Sequence, residues 1–264
     1  MMYWYLLLVA VLGLITFLFI QLSRPAGPCL RVLMYHKVSA GDQRDYLTVT
    51  TDQLREQWQY LQREGFTPVL FSDLIRFLHH DTALPPRPVL LTFDDGYKDN
   101  FEVMYPLLEQ MKMKAGIFLV PTFLQQQMRD ADNTYLDLHD LKAMKPSLVE
   151  YGLHSYAHES YKKLSPKEVS RDIIKTKDWL KENGIPFQPC VAFPYGAFPK
   201  KNPFKRKTFT DTLGISGMIL GFRIGNRLNA LPLKKPLLVQ RLDIRGDNSF
   251  EDFVKLVKKG KAMM

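Results

Sequence analysis

Short apolar segments of strand length alternate with amphipathic segments of helical length through most of this chain. The apolar segments are residues 30–35, 66–70, 89–93, 116–120, 190–193, 217–220 and 237–242. Helices are expected to start at the capping residues Thr50, Ser72, Ser165 and Ser249, and a further one around 101–111. This alternation predicts an α/β fold with a parallel sheet, either closed into a barrel or doubly wound. In both architectures the catalytic and ligand-binding residues lie at the carboxyl ends of the strands.

Residues 1–23 carry no charged side chain, and the uncharged stretch ends at Arg24. As a helix this stretch is about 35 Å long, which is enough to cross the hydrocarbon core of a bilayer. We therefore expect a transmembrane anchor over 1–23, a linker over 24–29 and one domain over 30–264, held at the cell membrane by a single pass. A cleaved signal peptide is the alternative, although the segment lacks a basic start and a small-residue cleavage site. The basic residues that follow favour a cytoplasmic domain, but a long folded domain overrides that rule, so both sides stay open.

The basic excess of the chain lies toward the C-terminus. Of the 36 Lys and Arg residues 15 fall within 195–264, whereas only 5 of the 27 Asp and Glu residues do. Such a region suits an anionic surface, such as a phospholipid leaflet or an acidic glycan, and a solvated face is the alternative. Because no nucleic-acid-binding motif accompanies the charge, we expect no nucleic acid partner.

The segment Thr92–Gly96 runs from an apolar strand directly into two adjacent carboxylates, Asp94 and Asp95, followed by a glycine. A solvated Asp-Gly turn is the ordinary interpretation of this pattern. Two ionised carboxylates side by side repel each other unless one of them binds a cation. A metal ion on one carboxylate would leave the other free to act as a base.

His154 and His158 are spaced so that one helical turn would present both imidazoles on the same face. Ser155 stands where the zinc peptidase motif with this spacing requires a glutamate, so that class is excluded. A chance pair on a surface helix is the alternative. Together with one carboxylate, the pair would give the two nitrogens and one oxygen of a catalytic zinc site, with a position left for water.

A third strand end leads into the rigid turn Pro194-Tyr195-Gly196. Its glycine permits close approach of the backbone, but such turns are common and the signal is weak by itself.

The three motifs, in this order and spacing, resemble those of the polysaccharide deacetylase family (NodB homology, carbohydrate esterase family 4) over about residues 30–244. The resemblance implies a distorted (β/α)7 barrel that binds one divalent metal ion, usually Zn²⁺, and removes N-acetyl groups from amino sugars. Carried over, Asp95, His154 and His158 would hold the metal and Asp94 would be the general base. The backbone N–H of Tyr195 would stabilise the oxyanion.

The sequence departs from most of the family in two respects. No histidine follows His158, although most members carry their general acid there, and Ala192 stands where they have an arginine. Both features resemble the poly-N-acetylglucosamine deacetylase subgroup, in which an N-terminal Tyr-His segment supplies the acid. We therefore predict His36 as the acid. Arg241 is a candidate partner of Asp94 in place of the missing arginine, and an ordinary ion pair at the surface or core edge is its alternative.

Three functional hypotheses follow from these residues. The favoured one is a membrane-anchored, metal-dependent deacetylase of an N-acetylated amino-sugar glycan. The second keeps the chemistry but acts on a lipid-linked amino sugar at the membrane surface. The third is a catalytically inactive domain that only binds glycan.

Overall fold

The computed structural model describes residues 28–79, 81–130 and 134–260. Within these ranges the strands are β1 (Cys29–Tyr35), β2 (Lys37–Ser39), β3 (Thr48–Thr50), β4 (Thr67–Pro68), β5 (Pro88–Asp95), β6 (Ala115–Leu119), β7 (Val149–Leu153), β8 (Cys190–Ala192), β9 (Leu220–Ile224), β10 (Asn229–Ala230) and β11 (Val239–Asp243). The α-helices are α1 (Thr51–Arg63), α2 (Phe71–Leu78), α3 (Tyr105–Met111), α4 (Pro121–Asp130), α5 (Leu138–Ala143), α6 (Pro166–Glu182), α7 (Pro203–Ile215) and α8 (Phe250–Lys259).

Seven strands close into a parallel barrel in the order β1, β11, β9, β8, β7, β6, β5 and back to β1. Strand β1 makes the closure, because it pairs in parallel with β5 on one side and with β11 on the other. A single paired position, Leu153 with Val191, joins β7 to β8, so the barrel is distorted at this seam. The expected parallel barrel with surrounding helices is confirmed, and the doubly wound alternative is wrong.

Strand alternation divides the side chains between the barrel interior and the layer of helices outside it. On β5, Leu90 belongs to the inner apolar cluster, whereas Leu91 and Phe93 belong to the outer one. The ring of Phe71 fills the amino-terminal end of the interior so closely that a Cβ on Gly116 would lie 2.1 Å from it. The apolar filling at this end leaves the carboxyl ends of the strands as the place for polar side chains.

The predicted helix starts are confirmed with one exception. The caps found where the sequence predicts them are Thr50, Ser165 and Ser249. Ser72 is not a cap, because α2 begins at Phe71 and Leu70 occupies the N-cap position. The carboxylate of Asp73 accepts a hydrogen bond from the Leu70 amide, which satisfies this helix end in place of a serine hydroxyl.

Several elements differ from the sequence prediction. The strand predicted over 217–220 is β9, which begins only at Leu220, since Gly217 adopts a φ of +83° in the turn after α7. The helix expected around 101–111 is α3 preceded by a π-helical segment, Asn100–Met104. Strand β7 and helices α4, α5 and α7 are not predicted, because their segments carry no clear strand or helix pattern.

The predicted transmembrane anchor over 1–23 lies outside the described residues and stays a prediction. Among the helices of residues 28–79, 81–130 and 134–260, none combines the length and the apolar character that spanning a bilayer requires.

Candidate metal centre and active site

The polar residues predicted from the three motifs meet at the carboxyl-terminal rim of the barrel. Asp94 and Asp95 end β5, and His154 directly follows β7. Tyr195 follows β8 after two residues, and His36 directly follows β1. The parallel closure of the barrel brings these chain-distant positions together, as expected for this architecture.

Asp94 and Asp95 both reach the same site although they are neighbours on one strand. Alternation sends Asp94 into the barrel, where it is 1% exposed. Asp95 has a left-handed backbone with a φ of +73°, which ends the alternation. Its Oδ1 atom lies 3.6 Å from Nε2 of His154 and 3.3 Å from Nε2 of His158. The strained strand end therefore places two carboxylates beside two imidazoles.

His154 and His158 do not lie on a helical turn, so this part of the prediction is wrong. Residues 154–160 form a loop in which Ser155 and His158 have φ values of +66° and +55°. The rings nevertheless meet, with their centroids 5.0 Å apart. Left-handed residues fold this loop back over the rim, which brings about the convergence that a helix was expected to provide.

Each imidazole is oriented by its second ring nitrogen. Nδ1 of His154 lies 2.9 Å from the carbonyl oxygen of Ala192, which can only accept, so Nδ1 carries the proton. Nδ1 of His158 lies 3.1 Å from the hydroxyl of Tyr195. Both Nε2 atoms are left facing Asp95. Oriented in this way, the Nε2 of His154 has a free lone pair for a metal ion.

Asp172 on α6 fixes the loop that carries the two histidines. Its Oδ1 accepts hydrogen bonds from Ser155 Oγ at 3.0 Å and from the Tyr156 amide at 2.9 Å. Its Oδ2 accepts one from the Tyr161 hydroxyl at 2.7 Å. Asp172 is not among the predicted site residues, because an aspartate that precedes two isoleucines on a helix carries no local sign of a contact with a distant loop. The serine of the histidine motif is the only hint that a partner is needed.

The donor set suits a divalent metal ion. One ligand atom each from Asp95, His154 and His158 lie within 4.8 Å of one another. The Oδ1 atom of Asp95 is buried and has no hydrogen-bond partner among the described residues. An orphaned carboxylate oxygen facing two imidazole nitrogens is unfavourable unless an ion satisfies it. Two nitrogens and one oxygen are ligands that zinc commonly takes in catalytic sites.

The charges of the site set the protonation of its members. Burial and the neighbouring charge of Asp94 together raise the pKa of Asp95 to about 6. Burial lowers the pKa of His154 to about 3, so its ring is neutral near pH 7, as metal binding requires. Burial also lowers the pKa of His158. In the protein without a metal ion, both histidines are therefore held in the form that binds one.

The partner of Arg241 is Asp94, as the sequence predicts. It is fully buried, and its guanidinium donates to both oxygens of Asp94, from Nη1 at 2.6 Å and from Nη2 at 2.7 Å. Burial favours a raised pKa of Asp94, but the charge and the hydrogen bonds of Arg241 outweigh it and hold that pKa well below its usual range. The alternative of an ion pair at the surface or core edge is wrong. Arg241 enters from β11, whereas Ala192 lies on β8, two strands away in the barrel order.

His36 lies at the open side of the site. Its Nε2 atom is 3.9 Å from Oδ2 of Asp94, and its side chain is 16% exposed. The side-chain amide of Asn100 donates to its backbone carbonyl at 2.9 Å, which anchors the end of β1. Asn100 is a second positioning residue that sequence reasoning misses. His36 thus faces both the carboxylate pair and the solvent from which a substrate would enter.

Tyr195 has a left-handed backbone with a φ of +61° and a side chain that is 69% exposed. Its ring centroid lies 4.6 Å from that of His158. Gly196 follows with a φ of +60°, and a Cβ there would lie 2.8 Å from Ile224, so only glycine fits without displacement. The prediction concerned the backbone N–H of Tyr195. The structure adds a side-chain contact with a candidate ligand.

The chain matches a known protein family over the region that holds most of the site residues. Residues 81–208 match the family model described as polysaccharide deacetylase. This range includes the carboxylate pair, the two histidines and Tyr195, whereas His36 and Arg241 lie outside it.

Two curated relatives share sequence over longer stretches. YxkH of Bacillus subtilis, whose name places it among polysaccharide deacetylases, is 25% identical over 179 residues, 68% of this chain and 60% of its own length. The chain thus covers less than two thirds of that relative. The poly-beta-1,6-N-acetyl-D-glucosamine N-deacetylase of Staphylococcus aureus is 25% identical over 239 residues, 86% of this chain and 77% of its own length.

Solved structures show the same fold. The deacetylase PplD of Streptococcus pyogenes superposes with a TM-score of 0.72 at 21% identity, covering 87% of this chain and 98% of that one. The structure of IcaB from Ammonifex degensii gives a TM-score of 0.69 at 22% identity, covering 89% of this chain and 98% of that one. At these identities the likeness concerns the barrel, not its chemistry.

Proposed function

We propose that this chain is a metal-dependent hydrolase of the polysaccharide deacetylase family, whose model residues 81–208 match, and that it removes N-acetyl groups from an amino-sugar glycan. The observation that carries the proposal is the convergence of Asp95, His154 and His158 beside the ionised Asp94 at one rim of the barrel. The name of the Staphylococcus aureus relative supports a poly-β-1,6-N-acetylglucosamine as the substrate class.

The proposed metal ligands are Asp95, His154 and His158, and zinc is the proposed ion. When bound, such an ion supplies Lewis-acid polarisation and lowers the pKa of a water molecule toward neutrality. Two features of the site suit such an ion. The rings of His154 and His158 are neutral near pH 7, and Oδ1 of Asp95 has no hydrogen-bond partner among the described residues.

Asp94 is proposed as the base that takes a proton from the attacking water. Arg241 keeps the carboxylate ionised at neutral pH, so it can accept that proton when the amide carbonyl is attacked. The same ion pair fixes the orientation of the carboxylate, because both oxygens are bound by one planar guanidinium. The result is a weakly basic but well-positioned acceptor.

His36 is proposed as the acid. Breakage of the carbon–nitrogen bond requires a proton on the departing nitrogen, since an amide anion is a very poor leaving group. His36 follows β1 and His154 follows β7, which lie on either side of β5 in the barrel, and their Nε2 atoms are 3.9 Å and 3.6 Å from Oδ2 of Asp94. The backbone N–H of Tyr195, presented by a left-handed turn, is proposed to stabilise the negative charge on the carbonyl oxygen.

Acetate release by the full chain in a neutral detergent tests this function. The substrate is an oligomer of β-1,6-linked N-acetylglucosamine, and the assay is repeated after chelation and after zinc is added back. We expect activity that chelation abolishes and zinc restores, and His158→Ala should remain inactive under all three conditions. Full activity after chelation would reject the mechanism, and glycan binding that chelation leaves unchanged, without acetate release, would favour the inactive domain.

A lipid-linked amino sugar is the second candidate substrate. The uncharged segment 1–23 and the basic residues of 195–264 favour it, since both suit a phosphate-bearing lipid at a membrane. We propose accordingly that the protein is held at the cell membrane by residues 1–23. Comparing turnover of free oligomers with that of a polyprenyl-phosphate sugar distinguishes the two substrates, and a C-terminal reporter active on one side of the membrane determines the side.

A further inference from the structure

A cavity of about 360 Å³ lies on the outside of the barrel, away from the candidate metal centre. Arg223 on β9 and Gln240 on β11 line it, and these two residues are paired in register. Their neighbours Phe222 and Arg241 point into the barrel, so Arg223 and Gln240 point outward. The connection from β9 to β11 holds β10 and a 3-10 turn but no α-helix, and Arg206 of the preceding helix α7 also lines the cavity.

The cavity is lined by basic side chains and by no carboxylate. The basic residues are Lys200, Arg206, Arg223, Lys234 and Lys235. Within the described parts of the chain, none of the five lies within 4.0 Å of an acidic side chain. Clustered cations without counter-charges repel one another, so an anion in this cavity would relieve an unfavourable arrangement.

Among the basic residues of the cavity, Arg223 shows the effect of nearby positive charges on its pKa. Its guanidinium is half-buried and lies 5.4 Å from the ring centroid of Phe198. Burial lowers the pKa of Arg223, and the charges of Arg227 and Arg206 lower it further. An arginine that is partly removed from water without a carboxylate partner is expected to bind an anion when one is available.

The cavity lies next to the point where residues 1–27 join the barrel. Ala230, one of its lining residues, pairs with Cys29 at the start of β1. The amide of Leu231 donates to the carbonyl of Pro28 at 2.9 Å. If residues 1–23 lie in a bilayer, as proposed above, the basic cavity is tethered close to the headgroup region.

A second cavity of about 350 Å³ continues the first and is less polar. The two share Arg206, Lys235 and Leu238. The rest of the second lining is Pro203, Lys207, Thr210, Pro236 and Leu237, so it adds three apolar residues and one further lysine. A basic cavity joined to a less polar one that is lined by prolines and leucines suits a ligand that carries a charged group on a hydrocarbon chain.

We propose that the basic cavity binds the phosphate group of a membrane lipid, with the apolar side chains of the adjoining, less polar cavity receiving the start of its hydrocarbon chain. Arginine and lysine together are the usual ligands of phosphate, with the arginine forks providing directional hydrogen bonds. The proposal concerns binding alone, so it can fail or succeed independently of the deacetylase activity.

Calorimetric titration of the full chain in a neutral detergent tests this site. Three probes separate its parts, namely farnesyl phosphate, farnesol and inorganic phosphate. We expect farnesyl phosphate to bind at least tenfold more tightly than either of the others. Equal binding of farnesol would show that the hydrocarbon alone is recognised, and equal binding of inorganic phosphate would show that no lipid is needed; either result overturns the proposal, as does the absence of any binding.

Charge-removing variants locate the binding. Arg206→Gln combined with Arg223→Gln should weaken farnesyl phosphate binding at least tenfold, and Lys235→Gln alone should weaken it about threefold. Lys235 is exposed, so its variant tests the site even where the double variant folds poorly. Lys258→Gln combined with Lys259→Gln removes two exposed charges from α8 and should change binding less than twofold. Unchanged binding in both cavity variants would overturn the proposal.

Discussion

Arg241 and Asp94 form an ion pair with two hydrogen bonds inside the barrel, with Nη1 2.6 Å from Oδ1 and Nη2 2.7 Å from Oδ2. They come from β11 and β5, the two strands that flank β1. Both are almost completely buried, so neither charge is compensated by water. When β11 and β5 both pair with β1 and close the barrel, Arg241 comes to lie beside Asp94 and keeps this proposed base ionised.

Removing one partner of this pair should destabilise the protein more than replacing both. Arg241→Met leaves a buried, unpaired carboxylate, and we expect a loss of about 3–5 kcal/mol in the free energy of unfolding. Arg241→Met combined with Asp94→Asn removes both charges and should be clearly more stable than the single variant. Urea unfolding at pH 7 measures both changes, and a double variant as unstable as Arg241→Met would contradict the burial argument.

The same pair should make stability depend on acidification. The pKa of Asp94 is lower in the folded protein than its usual value of 3.8, so its contribution is present above that value and is lost as the pH falls below it. The stability difference between the wild type and Asp94→Asn should therefore shrink below about pH 4. Unfolding curves at pH 7 and pH 3 provide the comparison.

Asp95 should have the opposite effect in the metal-free protein. Its pKa is raised to about 6, so the folded state holds a proton that the unfolded state releases above the usual value of 3.8. Stability is then full below 3.8 and decreases as the pH rises to about 6, by about 3 kcal/mol in all. Asp95→Asn in the chelated protein should remove most of this decrease and be the more stable form at pH 8.

Zinc is the control for this prediction. If Asp95 is a ligand, adding zinc at pH 8 should raise the unfolding midpoint of the wild type and leave that of Asp95→Asn nearly unchanged. A wild type whose stability is flat between pH 4 and pH 8 without metal would contradict the argument.

The sequence predicted the parts of this site that are local in the chain. Asp94 and Asp95 were found because an apolar strand runs straight into them, and the carboxyl ends of parallel strands meet at one rim. His154 and His158 were found by spacing, but the helical turn invoked for them was wrong, since two left-handed residues shape the loop instead. The correct residues were thus identified through an incorrect local structure.

The contacts that orient the site were not predicted, because they join residues far apart in the chain. Asp172 meets Ser155 only after α6 packs beside the barrel, and no local pattern on that helix indicates the contact. Arg241 was proposed as a partner of Asp94, but only the closure of β11 on β1 decides between a buried pair and a surface pair. The Tyr195 hydroxyl on His158 depends on a left-handed turn that a Pro-Tyr-Gly sequence permits without requiring.

Asp172 should control metal affinity although it touches no metal ligand atom. Asp172→Asn replaces an oxygen by an N–H₂ group that cannot accept the Tyr161 hydroxyl, and it loosens the loop of His154 and His158. We expect zinc affinity to fall by 10- to 100-fold, the range found for partners behind metal ligands. Competition with a chromophoric chelator measures it. Tyr161→Phe removes one hydrogen bond only and should weaken binding less.

A structural role alone would produce a different pattern. If Asp172 merely stabilises α6, both variants should lower the unfolding midpoint, and zinc affinity measured well below that midpoint should remain at the wild-type value.

His36 should affect turnover without affecting metal binding. His36→Gln keeps a polar side chain of similar size but cannot donate a proton as an acid, so we expect turnover of the glycan oligomer to fall by about 10²- to 10⁴-fold. Zinc affinity should stay within about threefold of the wild type, because His36 is 3.9 Å from Asp94 and is not part of the Asp95, His154 and His158 group.

The pH dependence of the turnover rate separates the role of His36 from that of Asp94. The rate should fall at high pH where the acid loses its proton, and at low pH where the base gains one. His36→Gln should abolish the fall at high pH and keep the fall at low pH. An ester substrate, whose leaving group needs less protonation, should be affected much less than the amide. Equal losses on amide and ester would assign His36 to substrate binding instead.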